Sequence, residues 1–193
     1  AGSIKMLLSE SKKFIFFHLY KTAGTSLSRV LKRHATPHSE KHFSVGNYLK
    51  NDGRDIYEQY FTFGFVRNPW DWQVSLYHYM LTDRKHFEHK WVSSFETYEA
   101  YLDWKIKNDC KPQYIFFSEN ADLDSPISLD FVGRFENLEE DFAFLKSKLE
   151  LKGKLPHLVK TNHKPYQEFY DQTTKEMVAE AYHKDVRYFE YAF

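Results

Sequence analysis

Cysteine is nearly absent from this chain: Cys110 is the single one among 193 residues. No internal disulfide can form, so the protein either works in a reducing compartment or does without disulfides. No basic or His-rich motif adjoins that thiol, and it reads as an ordinary thiol without chemistry. An excess of charge of either sign is also lacking, because Lys plus Arg and Asp plus Glu number 27 each. A general polyanion-binding surface is therefore not implied, and nucleic acid is not an expected partner. Any anion site has to be local, built from a few placed cations and backbone amides. No apolar run approaches the roughly eighteen residues that would span a bilayer, and no signal peptide is recognisable. Ala1 to Ser3 read as an expression remnant, and a chain whose membrane anchor had been cut away would look the same. Internal repeats and low-complexity linkers are missing too.

What the chain does have is apolar surface. Hydrophobic residues make up 42% and aromatics 19%, enough to drive folding and to set disorder aside. The length fits one domain over 1–193 rather than two. Phe14 to His18 is a short apolar run of strand type, and Tyr60 to Val66 is another. The second run is continuous rather than alternating, as expected of a strand covered on both faces. Tyr114 to Phe117 and Ile127 to Phe135 read as further strands. Helices are expected after Ser26, with Leu27, Val30, Leu31 and His34 on one face, and from Pro69, with Trp70, Val74, Tyr77 and Leu81 as its stripe. Asn68 suits the N-cap of that helix and Pro69 its first position. Phe95 to Lys107 is expected to be helical. A helix with Leu138, Phe142, Leu145 and Leu149 follows Asn137, which has Glu140 three residues on. The last helix is expected over Thr173 to Asp185, with Thr173 and Glu176 as a capping box. Strands alternating with helices predict an α/β layer fold with a mainly parallel sheet.

Lys21-Thr22-Ala23-Gly24-Thr25-Ser26 lies between the first strand and its helix, where an open parallel sheet binds ligands. Small residues let the backbone approach an anion, and the amides from Thr22 to Ser26 sit at the positive end of the helix. Lys21 adds a point charge, and Thr25 and Ser26 add hydroxyl donors. A Walker A loop is excluded, because the lysine precedes the small residues instead of following them. A second cluster, Phe65-Val66-Arg67-Asn68-Pro69-Trp70-Asp71 with Ser75, ends a strand on an arginine suited to bidentate phosphate binding.

His18-Leu19-Tyr20-Lys21-Thr22-Ala23-Gly24-Thr25-Ser26-Leu27 resembles the 5′-phosphosulfate loop of sulfotransferases that use 3′-phosphoadenosine-5′-phosphosulfate (PAPS). Tyr20 stands where that pattern usually has proline. The Arg67 to Ser75 cluster resembles the same family's 3′-phosphate motif. Phe131-Val132-Gly133-Arg134-Phe135-Glu136-Asn137-Leu138 resembles a segment further downstream, and the likeness runs from about Lys13 to Phe193. It implies a three-layer fold akin to that of P-loop NTPases, with a mainly parallel central sheet flanked by helices. It also implies transfer of a sulfuryl group from PAPS to a hydroxyl acceptor, most naturally on a glycan, leaving 3′-phosphoadenosine 5′-phosphate (PAP). No metal is required. Lys21 to Ser26 would hold the phosphosulfate, Arg67 and Ser75 the 3′-phosphate, and Arg134 would line the nucleotide pocket.

Lys21 would steady the leaving oxygen, and a histidine would take the acceptor proton. His42 is the candidate base, because Lys41-His42 falls between the two cofactor motifs; His38 and His34 are fallbacks. His18 is expected to support the loop. His163 with Lys164, and the segment Asp83 to Trp91 with Phe87, Lys85 and Lys90, are secondary candidates for nucleotide or sugar contact. His86 and His89 lack the further ligands that a metal would need. The alternatives are a binding module for PAP or PAPS without turnover and a P-loop-like kinase. The compartment would be cytoplasmic for a bacterial chain, or the Golgi lumen for a eukaryotic fragment that has lost its anchor.

Overall fold

A computed structural model describes residues 4–156 and 164–193. Ala1 to Ser3 and His163 lie outside the described residues. In chain order the strands are β1 (Lys5–Ser9), β2 (Phe14–His18), β3 (Phe61–Val66) and β4 (Phe131–Arg134). The helices are α1 (Gly24–Leu31), α2 (Val45–Tyr48), α3 (Arg54–Gln59), α4 (Pro69–Thr82), α5 (His89–Val92), α6 (Tyr98–Asp109), α7 (Tyr114–Phe117), α8 (Leu138–Lys148), α9 (Gln172–Ala181) and α10 (His183–Tyr188). The described residues form two compact units, 4–67 with 113–156 and 68–112 with 164–193.

The first unit is an α/β sheet structure. Its sheet runs β1-β2-β3-β4, with β1 antiparallel to β2 and the other three strands mutually parallel. Phe14 and Phe16 of β2 join Phe63 and Phe65 of β3 in a core closed by Leu27, Val30 and Leu31 of α1 and by Leu138, Phe142 and Leu145 of α8. Each of these phenylalanines is essentially fully buried, which is worth about 2 kcal/mol apiece. The alternate side chains of β2 face the opposite layer. Phe17 meets Tyr48 and Tyr57 at ring distances of 6.1 and 6.2 Å. Helices thus cover both faces, which is why β2 and β3 read as continuous apolar runs. The parallel register aligns Phe17 with Gly64 and Val66 with Arg134. The carboxyl ends of β2, β3 and β4 therefore open on one edge of the sheet.

The second unit is helical. Asn68 caps α4 by accepting from the Trp70 amide at 3.1 Å, with Pro69 in the first turn. Instead of a single apolar stripe, α4 is buried on every side from Trp70 to Leu76 except at Asp71. Trp72 packs edge-on against Tyr182, Tyr77 lies 4.7 Å from Tyr101, and the Trp70 indole donates to the Lys175 carbonyl at 3.0 Å. Among the described residues no helix is long and apolar enough to cross a membrane.

Several local expectations are corrected. Tyr114–Phe117 is a helical turn, not a strand: four aromatic and β-branched residues satisfy either period, and Phe117 is needed under Gly64. The strand expected over 127–135 shrinks to β4, with Ile127 making only an isolated bridge to Ser118. Asn137 supplies no side-chain cap, because a 3-10 turn over Phe135–Asn137 precedes α8. The capping box of α9 is Asp171 with Thr174, two residues earlier than expected, and the final stretch divides into α9 and α10. Strand β1 has no counterpart in the sequence reading, since its few apolar residues show no period of their own and pair only through β2.

A Cβ at Gly64 would stand 2.5 Å from the Phe117 ring and 3.1 Å from the Phe17 carbonyl oxygen. Gly64→Ala is expected to destabilise the fold by about 1–3 kcal/mol through overpacking, read as a lower urea midpoint at unchanged m-value.

Candidate active site

Strand β2 ends at His18, and the next five residues turn the chain into α1 with an unusual backbone. Lys21 and Ala23 both hold positive φ, at 61° and 66°. Such conformations cost non-glycine residues energy and gather where a loop is shaped for a ligand. Four contacts hold the shape. The Thr22 hydroxyl donates to the Leu19 carbonyl at 2.8 Å from a buried position. The Ser26 and Leu27 amides donate back to the Ala23 carbonyl. The Tyr20 ring packs edge-on against Phe116, 5.8 Å away.

Among the described residues, the amides of Thr22, Ala23, Gly24 and Thr25 have no acceptor in the protein. They form a run of donors at a helix start, the arrangement that binds anions. The Ser26 amide, expected among them, is spent on Ala23. Gly24 is required sterically, since any Cβ there would overlap the His18 ring. His18 in turn lies 3.4 Å from the Ser28 hydroxyl through Nδ1.

Arg67 follows β3 and closes over the same loop. Its guanidinium donates to the Lys21 carbonyl at 3.1 Å and lies over the Phe135 ring, 3.9 Å from the centroid. Its backbone is clamped by Gln113, whose side-chain amide accepts from the Arg67 N–H at 2.9 Å and donates to the Arg67 carbonyl at 2.7 Å. Gln113 is fully buried and Arg67 is 5% exposed. Burial first, and then the nearby Arg67 charge, push the Lys21 ammonium below the ordinary lysine pKa. Two cations held this close in a partly dry site favour a bound anion between them. Gln113 lies outside every sequence motif, whereas Phe135 belongs to the downstream segment that resembles the family.

Arg134 sits beside this group, opposite Val66 in the register, with its amide donating to the Asp141 carboxylate at 2.6 Å. Ser75 belongs to the helical unit, two turns into α4. It is 2% exposed, and its hydroxyl has no hydrogen-bond partner among the described residues. Asn68, the α4 cap, also donates to the Ala192 carbonyl at 2.8 Å.

The histidines separate by position. Lys41 bridges Met6 of β1, which pairs with Phe17, so the exposed His42 follows a residue at the ligand end of the sheet. His34 lies near the opposite end: its carbonyl accepts from Ser9, and its ring accepts from the Lys152 amide at 3.2 Å. His38 is exposed with positive φ. His89 uses Nδ1 on the Met80 carbonyl, and His86 uses its own on the Glu88 amide. Among the described residues no group of three or more His, Cys, Asp or Glu side chains is placed to hold a metal ion.

A model of the sulfotransferase family matches residues 5–192, almost the whole chain and both units. The chain belongs to the sulfotransferase family. It is therefore an enzyme of sulfuryl transfer, and its sheet flanked by helices agrees with that family's fold. A protein of Archaeoglobus fulgidus, described as uncharacterized, is 32% identical to this sulfotransferase over 109 residues, 56% of this chain and 83% of that protein. No solved structure matches.

Burial, then the Lys5 charge, lowers the His18 pKa from 6.5 to about 4. The unfolded chain takes up this proton first. The associated stability is complete above pH 6.5 and is lost as the pH falls towards 4. In His18→Gln the fall in stability between pH 6.5 and pH 4 should be shallower than in the wild type, as measured by urea unfolding at each pH.

Proposed function

We propose that this sulfotransferase moves the sulfuryl group of PAPS to a hydroxyl group, most naturally on a carbohydrate. We read residues 1–193 as one functional domain. The observation that carries the donor reading is the run of amides at Thr22 to Thr25 beside Lys21 and Arg67, all within the sheet unit. That set suits PAPS: several backbone donors and one mobile ammonium for the phosphosulfate, and one forked guanidinium for the 3′-phosphate.

In this reading the loop amides and the Thr25 and Ser26 hydroxyls bind the 5′-phosphosulfate. Arg67 takes the 3′-phosphate, braced by Gln113 and by the face of Phe135. Arg134 lines the nucleotide pocket. The 3′-phosphate role of Ser75, in the helical unit, rests on the resemblance of its motif. The acceptor oxygen forms a bond to sulfur as the bond from sulfur to the bridging oxygen breaks. Charge grows on that bridging oxygen, and Lys21 neutralises it. His42 accepts the acceptor's proton, and PAP is the product.

The lowered pKa of Lys21 fits this task. An ammonium that burial and the Arg67 charge already disfavour in the free enzyme gains most when negative charge develops beside it. Lys21→Ala should reduce turnover of labelled PAPS with a panel of glycan acceptors by about a hundredfold or more, since one preorganised donor is worth roughly 3 kcal/mol. PAP affinity should fall much less. Unchanged turnover would remove Lys21 from the mechanism, and no labelled product with any acceptor would count against PAPS as donor.

A further inference from the structure

The segment 83–91 leads from α4 into α5 within the helical unit, and sulfuryl transfer as derived above uses none of it. Phe87 is 71% exposed and Trp91 is 65% exposed. They are the two most exposed large apolar side chains among the described residues, and they lie four positions apart. Local packing fixes them on the outside. Val92 is fully buried, and His89 donates through Nδ1 to the Met80 carbonyl at 2.8 Å, so α5 is held against the end of α4. Lys90 and Trp91 are left facing solvent. His86 stacks on Phe87 with ring centroids 4.7 Å apart and meets Tyr79 edge-on at 5.4 Å. An aromatic tip therefore stands out from the unit on a braced turn.

Charge in this segment is sorted by depth. Arg84, Lys85 and Lys90 are exposed, and none of them makes an ion pair among the described residues. The two acids are drawn inwards: Glu88 is buried, and the Asp83 carboxylate accepts from the Lys85 amide at 3.0 Å. The next exposed carboxylate along the chain, Glu96, comes only after α5. The turn thus presents three cations around two bare aromatic rings, in a chain whose formal net charge is zero. Aromatic anchors flanked by Lys and Arg match the boundary between lipid headgroups and acyl chains. A protein partner fits less well. Two such rings bury about 500 Å² at most, short of the roughly 800 Å² a side that a stable protein interface needs.

We propose that this turn docks the sulfotransferase on an anionic lipid surface. Phe87 and Trp91 enter the interface, while Arg84, Lys85 and Lys90 lie against the negative headgroups. The Trp91 indole suits that place, with an apolar body and a polar N–H. Each cation near such a surface is worth about fivefold in binding, and salt screens the attraction. Two rings alone hold a neutral bilayer weakly, so the cations make the attachment selective for negative lipid and keep it reversible. Attachment through the turn brings the enzyme to acceptors carried on a membrane, and it does not depend on the donor assigned above.

The test is co-sedimentation of the full chain with vesicles of phosphatidylcholine alone, and of phosphatidylcholine with about three parts in ten phosphatidylserine. The vesicles containing phosphatidylserine are expected to bind the protein about tenfold or more tightly than the neutral ones, and added sodium chloride should release it. Arg84→Gln, Lys85→Gln and Lys90→Gln together should weaken that binding by about a hundredfold, three cations at about fivefold each. Phe87→Ser with Trp91→Ser should weaken it by about tenfold or more, since attachment scales with buried apolar area. Both sets replace exposed side chains, and a urea midpoint close to that of the wild type shows that each variant is folded. Equal binding to the two kinds of vesicle, no binding to either, or undiminished binding by either folded variant set would overturn the proposal. So would self-association of the lipid-free protein that Phe87→Ser with Trp91→Ser abolishes, since sedimentation equilibrium would then assign the turn to a second copy of the chain.

Discussion

The hydrogen bond from the Arg67 guanidinium to the Lys21 carbonyl joins two strand ends and two positive charges. Like charges do not gather in a half-buried place without cause. The parallel register brings the end of β3 beside the end of β2, and the Gln113 clamp prevents the Arg67 backbone from moving away. Phe135, following β4, supplies an aromatic face under the guanidinium, an interaction that favours arginine over lysine. The positive φ angles at Lys21 and Ala23 complete the arrangement by leaving a run of amides without acceptors. Each element gives up some stability to hold these groups in place.

Around this centre the sheet unit is built conventionally. Aromatic side chains of β2 and β3 fill the layers on either face, and the ligand end carries the polar chemistry. His18 marks the boundary between the two. It closes a strand, packs against Gly24 and stays neutral through burial, so it shapes the loop without adding charge to it.

Much of this was legible in the sequence because it rests on local rules. The order of strand, small-residue loop and helix predicted β2, the Lys21 to Ser26 loop and α1. The continuous apolar run predicted a doubly covered β3, and Asn68-Pro69 predicted the start of α4. What escaped depends on distant partners. β1 pairs only because β2 is there, and Tyr114–Phe117 turns helical because its ring has to fill the space above Gly64. Gln113 acts on Arg67 across 46 positions of sequence, a span no local pattern encodes. Histidine roles were the least legible, since a catalytic and a structural histidine look alike until their neighbours are known. His34, one of the candidate bases, is tied to Lys152 near the far end of the sheet.

The most direct test of the account is a calorimetric titration of the purified protein with PAP, run beside ATP with magnesium and repeated on Arg67→Ala. The account predicts micromolar PAP binding (about −8 kcal/mol), little or none for ATP, and a clear loss in the variant. Tight ATP binding, or no PAP binding by a folded sample, would contradict it.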